Sequence, residues 1–332
     1  MFATYLITGA TGFLGSEIIE KLRGGACTIR SLVLPGDPME KFLPPETEIY
    51  YGRIDDTQSM KDFFAGDLSD ACLIHCAGAI SLASKYNAKV WNINVEGTKN
   101  VLDECLAKGV GRVIYVSSVH AIPEKPHGCV ISECEEFSPE LVIGHYAKSK
   151  AGASAYALEM AKKGLNLSIV HPSGIIGPKD RNVGHVTWVI LSYCRGRLPF
   201  GIPGGYDFVD VRDVADGILA CAEKDRRGVP YILANVYSSI NDILQTLRKL
   251  INGKKPLFQI PLWLLKLIAP LLEKISLLRR EKLFLTPYSV YTMQSNAVFS
   301  WERAKKDLGY KPRPLAETLA DVVQWLKDEK RI

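Results

Sequence analysis

The sequence predicts an α/β fold: a doubly wound parallel sheet with a smaller, mostly helical lobe. Three observations carry that prediction. Strand-like apolar runs alternate with helical patterns through the first half of the chain, the signature of a parallel sheet with helices on both faces. The runs are nearly continuous in apolar residues, as strands covered on both faces must be. The first run ends in a glycine-rich turn that opens a helix. With 332 residues, 47% of them apolar, the chain can bury a large core.

Tyr5-Leu6-Ile7 is the first strand and runs into Thr8-Gly9-Ala10-Thr11-Gly12-Phe13-Leu14-Gly15. Gly9 permits a sharp turn, Gly12 clears space for a phosphate, and Gly15 lets the next helix pack close to the strand. A helix N-terminus behind such a turn offers bare N–H groups to an anion. The spacing is G-x-x-G-x-x-G, one residue longer in its first step than the common dinucleotide fingerprint. The helix spans Phe13–Leu22, with Leu14, Ile18, Ile19 and Leu22 on one face. Strands are expected at Thr28–Leu34, Thr47–Tyr51, Ala71–Cys76, Arg112–Ser117 and Leu167–Val170. Helices are expected at Ser59–Phe64, Val95–Ala107 and His145–Lys163. The pattern loosens after His171 into a turn-rich segment, a helix near Val186–Cys194 and a short strand at Phe208–Val211. A helix at Val214–Glu223 and a strand at Pro230–Leu233 follow. The dinucleotide-binding domain is therefore expected over 1–172, with core elements returning near 208–235. Residues 173–207 and 236–332 are expected to form the substrate lobe.

Net charge is +5, unevenly placed. From Lys254 onward there are 15 Lys+Arg and 8 Asp+Glu, a net of +7, which leaves 26 minus 28, or −2, for the rest. With no RNA-binding signature and no long basic run, a solvated basic surface is expected rather than a nucleic-acid site. The apolar stretch Ile260–Leu272 is too short, and too interrupted by Lys266 and Pro270, to span a bilayer. It has three readings: a core helix, a wall of an apolar pocket, or a peripheral membrane contact aided by Arg279 and Arg280. The eight cysteines show no C-x-x-C spacing and read as reduced thiols of a cytoplasmic protein. His75 and Cys76 point to opposite faces of a strand, so no shared metal is expected. The first strand begins almost at Met1, and no signal peptide is expected.

Tyr146-Ala147-Lys148-Ser149-Lys150 sets a tyrosine and a lysine four apart on one helical face. A nearby ammonium favours a phenolate, which would make the pair a general acid/base. Val113–Val116 ends in Ser117-Ser118 at the strand end that opens onto the ligand crevice. Ser118 is the candidate to polarise a substrate carbonyl, and Ser117 the candidate to bond backbone.

Together these features resemble the extended short-chain dehydrogenases/reductases, the NAD-dependent epimerase/dehydratase superfamily with its Rossmann domain. The resemblance continues through His75-Cys76-Ala77-Gly78, Asn94-Val95-Glu96-Gly97-Thr98, His171–Pro178, Phe208–Ala215 and Trp301–Tyr310. It implies hydride transfer at a nicotinamide. Tyr146 would move the hydroxyl proton, Lys150 would hold the ribose, and Ser118 would steady the carbonyl. Gly9, Thr11, Gly12, Phe13, Leu14 and Gly15 would seat the pyrophosphate. Cys76, Ala77, Gly78, Asn94, His171, Pro172 and Gly174 would line the rest of the cofactor site. At the adenosine end Asp37 favours NAD, while Lys41 or Arg53 could meet the 2′-phosphate of NADP. Ile54 could pack on adenine, with Asp56 structural.

The chain departs from the sugar-nucleotide members. Gly174 and Ile175 stand where an asparagine is usual, and Tyr206-Asp207 where an arginine would hold a diphosphate. An aspartate facing a diphosphate is electrostatically unfavourable. The departures point toward the branch of dihydroflavonol reductases and 3β-hydroxysteroid dehydrogenases, which act on apolar ring-fused substrates. His120, Ile175, Trp188, Phe200 and Tyr206 are the candidate lining of that pocket. The alternative is a nucleotide-sugar epimerase or dehydratase using the same Tyr146 and Lys150. Family resemblance also implies a homodimer through the helices at Val95–Ala107 and His145–Lys163.

Overall fold

The computed structural model describes residues 2–253, 258–279 and 284–332; Met1 and Arg280, which enter two of the expectations above, lie outside them. The chain opens with β1 (Thr4–Thr8), α1 (Phe13–Leu22), β2 (Thr28–Val33), β3 (Glu48–Tyr51) and β4 (Ala71–His75). Next come α2 (Ala88–Trp91), a π-helical turn at Asn92–Glu96, α3 (Gly97–Ala107), β5 (Arg112–Val116), α4 (His145–Lys162) and β6 (Leu167–Pro172). The middle of the chain holds β7 (Gly174–Ile176), α5 (His185–Cys194), β8 (Phe200–Gly201), β9 (Gly205–Asp210), α6 (Val211–Ala222) and β10 (Pro230–Leu233). The rest comprises β11 (Val236–Ser239), α7 (Ile240–Ile251), β12 (Phe258–Gln259), α8 (Leu262–Arg279), α9 (Pro287–Thr292), α10 (Glu302–Leu308) and α11 (Leu315–Asp328).

Seven parallel strands form the main sheet in the order β10-β6-β5-β4-β1-β2-β3. The chain leaves β1 in one direction for β2 and β3, then returns to β1's other side for β4, β5 and β6. That reversal opens the ligand crevice at the C-terminal ends of β1 and β4. Strand alternation feeds two cores. Leu6, Leu73, Val113 and Ile169 pack with α3 and α4 residues on one face. Ile7, Ile74, Ile114 and Val170 pack with α1 and α6 residues on the other. Each buried aliphatic side chain contributes roughly 1.5–3 kcal/mol relative to exposure. A third core joins α5, α7 and α11 through residues such as Ile190, Leu247, Val322 and Leu326.

The structure differs from expectation in two helices and in the strands outside the main sheet. The helix expected at Ser59–Phe64 is a 3₁₀ turn at Thr57–Met60, capped by Asp56 accepting from the Ser59 amide. Met60, Phe63 and Phe64 are fully buried, so tertiary packing fixes them without the length that propagates an α-helix. The helix expected from Val95 starts at Ala88, capped by Asn87, and widens into the π turn. The turn-rich segment after His171 contains β7, which pairs with β9, and β9 pairs with β11 in a separate three-stranded sheet. β7 is three residues long and Val236 and Tyr237 of β11 are exposed, so neither carries a clear alternation. Among the described residues, no helix is long and apolar enough to cross a membrane.

Candidate active site

The glycine turn is built by steric exclusion. Gly9 sits at φ +69, and a Cβ there would come within 2.7 Å of the Ala77 amide nitrogen. A Cβ on Gly15 would overlap the Gly9 carbonyl oxygen. Glycine at these two positions lets α1, β1 and the segment after β4 meet at the crevice. The first turn of α1 has no side-chain cap and no acidic residue, which leaves its amide donors and positive dipole end for an anion. Thr11 donates to the Asp37 carboxylate at 2.6 Å, and Asp37 also accepts from the Met39 amide at 2.9 Å. The acid after β2 is thereby held against the phosphate turn.

Across the crevice, β4 delivers Cys76, Ala77 and Gly78. A Cβ on Gly78 would lie 3.3 Å from Asn94 Oδ1 and 3.4 Å from Lys150 Nζ. Asn94, buried on the π turn, accepts from the Ala79 amide at 2.7 Å and donates to Ala79 O at 3.0 Å and Ser149 Oγ at 2.9 Å. It therefore ties the post-β4 segment to α4, acting through its neighbours. His75 lies in the core, its ring nitrogens engaged by the Thr8 and Thr98 hydroxyls at 2.6 and 3.0 Å. Among the described residues, no group of His, Cys, Asp and Glu side chains is placed to hold a metal ion.

Ser118, Tyr146 and Lys150 converge. Ser118 caps a short 3₁₀ turn after β5, accepting from the His120 amide at 3.3 Å. Tyr146 and Lys150 are both buried on the first turns of α4. Lys150 donates to Val116 O at 3.0 Å and lies 5.3 Å over the Tyr115 ring. Burial pushes the Tyr146 phenol up to about 12, with a side-chain hydrogen bond to Ser118 pulling the other way. Burial also pulls the Lys150 ammonium down to about 8, against a pull upward from Cys76. The expected acidification of the phenol by Lys150 is thus not a property of the chain alone. Desolvation dominates the phenol, and the ammonium is engaged by a backbone carbonyl and an aromatic face.

An aromatic cluster reaches the phenol through His120. His120 meets Tyr146 edge-on at 5.8 Å, stacks on Tyr206 at 5.4 Å and lies 6.3 Å from Tyr288. The Tyr206 hydroxyl and His120 Nε2 are 3.2 Å apart. Burial lowers His120 to about 4, against a weaker opposing pull from Glu124, so the imidazole is neutral near pH 7. Tyr288 escapes sequence reading. It comes from α9, and the only signal for it is Gly144, the α4 N-cap at φ +98, where a Cβ would overlap the Tyr288 ring.

Several expected residues are engaged by the protein itself. Ser117 Oγ bonds the Ser154 hydroxyl at 2.7 Å rather than backbone. Arg53 is exposed and paired with Asp55 at 2.9 Å. Ile54 is buried against Gly97, where a Cβ would meet it at 2.7 Å. His171, fully buried, stacks on Phe137 and bonds Ser118 O at 3.0 Å through Nδ1, so it props the serine turn. Pro172 closes β6, and a Cβ on Gly174 would crowd Asp207 O at 2.9 Å. Ile175 packs with the α1/α6 core, Trp188 stacks on Phe284 at 4.0 Å, and Phe200 lies 6.1 Å from Phe258. Of the five candidate pocket residues, His120 and Tyr206 stand beside Tyr146. The inner side of the Ile260–Leu272 stretch packs with Val290 in a small core of its own.

Asp207 corrects the electrostatic argument. It is 1% exposed and accepts from the Ser173 hydroxyl at 2.5 Å and the Asn235 amide at 3.0 Å. Its carboxylate is held inside the protein by the turns after β6 and β10, so its charge is not presented to a diphosphate.

A Rossmann sheet, a glycine turn at its switch point, and a serine, tyrosine and lysine at the next crevice wall define a nicotinamide-dependent enzyme of the extended short-chain dehydrogenase/reductase class. The chain belongs to the NAD dependent epimerase/dehydratase family, whose model matches residues 5–236. It is 30% identical to "Sterol demethylase protein B" of Methylococcus capsulatus, over 99% of this chain and 100% of that one. It is 28% identical to mouse "3 beta-hydroxysteroid dehydrogenase type 7", over 97% and 95% of the two chains. The solved structure titled "Crystal structure of gox2253" superposes with a TM-score of 0.85 at 28% identity, covering 99% of each chain. NAD is the cofactor of the family, and the cradle fits it: an uncapped helix end, glycines no side chain can replace, and Asp37 held beside them.

Proposed function

We propose that the protein is an NAD(H)-dependent oxidoreductase that interconverts a secondary alcohol and a ketone on an apolar, ring-fused substrate such as a 3β-hydroxysteroid or dihydroflavonol. The observation that carries this reading is the wall beside Tyr146. His120, Tyr206 and Tyr288 bring aromatic, uncharged surface to the phenol, and Asp207 is turned away from it. Such a surface suits a flat hydrocarbon frame and offers a diphosphate no cation. The names of the sterol-related relatives support the same substrate class.

Bound NAD supplies the hydride acceptor or donor. Gly9, Gly12 and Gly15 would leave room for its pyrophosphate at the α1 N-terminus, and Asp37 would meet the ribose hydroxyls. Tyr146 passes a proton to or from the substrate oxygen, and Ser118 donates a hydrogen bond to that oxygen. Lys150 would hold the nicotinamide ribose. The cytoplasm and a homodimer remain the proposed setting.

The test is NADH formation or loss with a panel of 3β-hydroxysteroids, dihydroflavonols and nucleotide sugars. Turnover of a steroid or dihydroflavonol is expected, at least about a thousandfold slower in Tyr146→Phe, with NADH affinity within about twofold of wild type. Conversion of a nucleotide sugar with no net cofactor consumption would establish the epimerase reading instead.

A further inference from the structure

α8 has two unlike faces. Leu265, Ala269 and Glu273, spaced four apart, are buried against the protein. On the outer side Trp263, Leu267, Leu271 and Leu278 are 67%, 68%, 59% and 85% exposed. Their spacing of four, four and seven forms one stripe along the helix. Lys266, Lys274 and Arg279 are exposed with them. Glu273 is the only acid between Leu262 and Arg279, and it points inward to accept from the Ser84 amide at 2.8 Å. The solvent side of α8 therefore carries large apolar side chains and cations, with no acid.

We propose that this face docks on the surface of an anionic lipid bilayer, lying in the interface without crossing it. The helix falls short of a membrane span, while a helix with an apolar stripe and basic flanks is the form that binds in the headgroup region. Trp263 is suited to that depth by its amphipathic ring. The charges select the occupant. A second copy meeting this face across a two-fold axis would set cation against cation, whereas anionic headgroups neutralise all three. The surface continues toward the crevice. Glu273 holds Ser84, Thr286 donates to Leu82 O at 2.6 Å, and the Tyr288 amide donates to Ser84 Oγ at 3.4 Å. Ile80 and Tyr86, flanking these contacts, are exposed. The lipid-facing helix is thus braced on the segment that also carries Tyr288. The docking itself does not depend on the proposed substrate.

The test uses the full chain and sedimentation with phosphatidylcholine vesicles, with and without phosphatidylglycerol. Binding is expected to the anionic vesicles, weakening as salt is raised. Leu267→Glu/Leu271→Glu should bind at least about tenfold more weakly. Lys266→Gln/Lys274→Gln should lose about fivefold per cation and flatten the salt dependence. Both variants should keep the wild-type thermal transition and NADH affinity. Equal binding to both vesicle types, wild-type binding by the leucine variant, or no vesicle binding would overturn the proposal. So would a wild-type dimer, measured by light scattering, that the leucine variant dissociates.

Discussion

Asp207→Asn separates a buried carboxylate from a pocket-facing one. Burial raises the Asp207 carboxyl from 3.8 to about 6, against the pull of the Ser173 and Asn235 hydrogen bonds. A raised carboxyl means that the fold disfavours the charged form. Its contribution to stability is complete below the unfolded value near pH 4 and is lost as pH rises through about 6. The shift corresponds to about 3 kcal/mol in full, of which roughly 2 kcal/mol falls between pH 4 and pH 7. Asparagine keeps one oxygen for the two hydrogen bonds that Asp207 Oδ1 accepts and carries no charge. Urea denaturation of both proteins across that range should show the wild type losing about 2 kcal/mol relative to the variant as pH rises. Other carboxylates titrate in both proteins and cancel in the difference. A gap constant to within about 0.5 kcal/mol, or one that widens in the opposite sense, would refute the burial argument.

Gly15→Ala places a methyl against the Gly9 carbonyl oxygen. It should cost about 1–3 kcal/mol of stability and weaken NADH binding severely, measured by denaturation and fluorescence titration. Gly144→Ala combines a backbone at φ +98 with overlap of the Tyr288 ring. A loss of about 2–4 kcal/mol is expected, and turnover should fall far more than cofactor affinity. With its ammonium lowered to about 8, Lys150 should make NADH affinity flat below pH 7 and roughly tenfold weaker by pH 9. Lys150→Arg should hold the affinity steady over that range.

The Rossmann half was legible because its signals are local. A strand, a glycine turn and a helix lie within Thr4–Leu22, and Tyr146 and Lys150 share one helical face whatever packs around them. Elements whose conformation is set by distant partners were not legible. Thr57–Met60 folds as a 3₁₀ turn because Met60, Phe63 and Phe64 are needed in a core built mostly from other segments. Asp207 reads as a ligand-facing charge until Ser173 and Asn235, 34 and 28 residues away in sequence, are seen to hold it inward. Tyr288 lies far along the chain from the α4 residues it covers, and its place is encoded only as a missing side chain at Gly144.

The same long-range packing bears on the proton step of the proposed reaction. Burial pushes the Tyr146 phenol up to about 12, and His120, which packs on it, is itself packed by the Tyr206 and Tyr288 rings. A phenol held there keeps its proton at neutral pH and so has one to give, which suits protonating a far more basic alkoxide as a ketone is reduced. Running the reaction toward the ketone requires the phenolate, so positive charge must reach the site. Lys150, at about 8, is mostly an ammonium at pH 7, and an oxidised nicotinamide adds a second cation. On the proposed reading, the aromatic wall would bias the proton step toward reduction and make oxidation depend on pH. If oxidation by NAD rises with pH while reduction by NADH stays flat from pH 6 to 8, the wall sets that bias. Parallel profiles would place the control of the proton elsewhere.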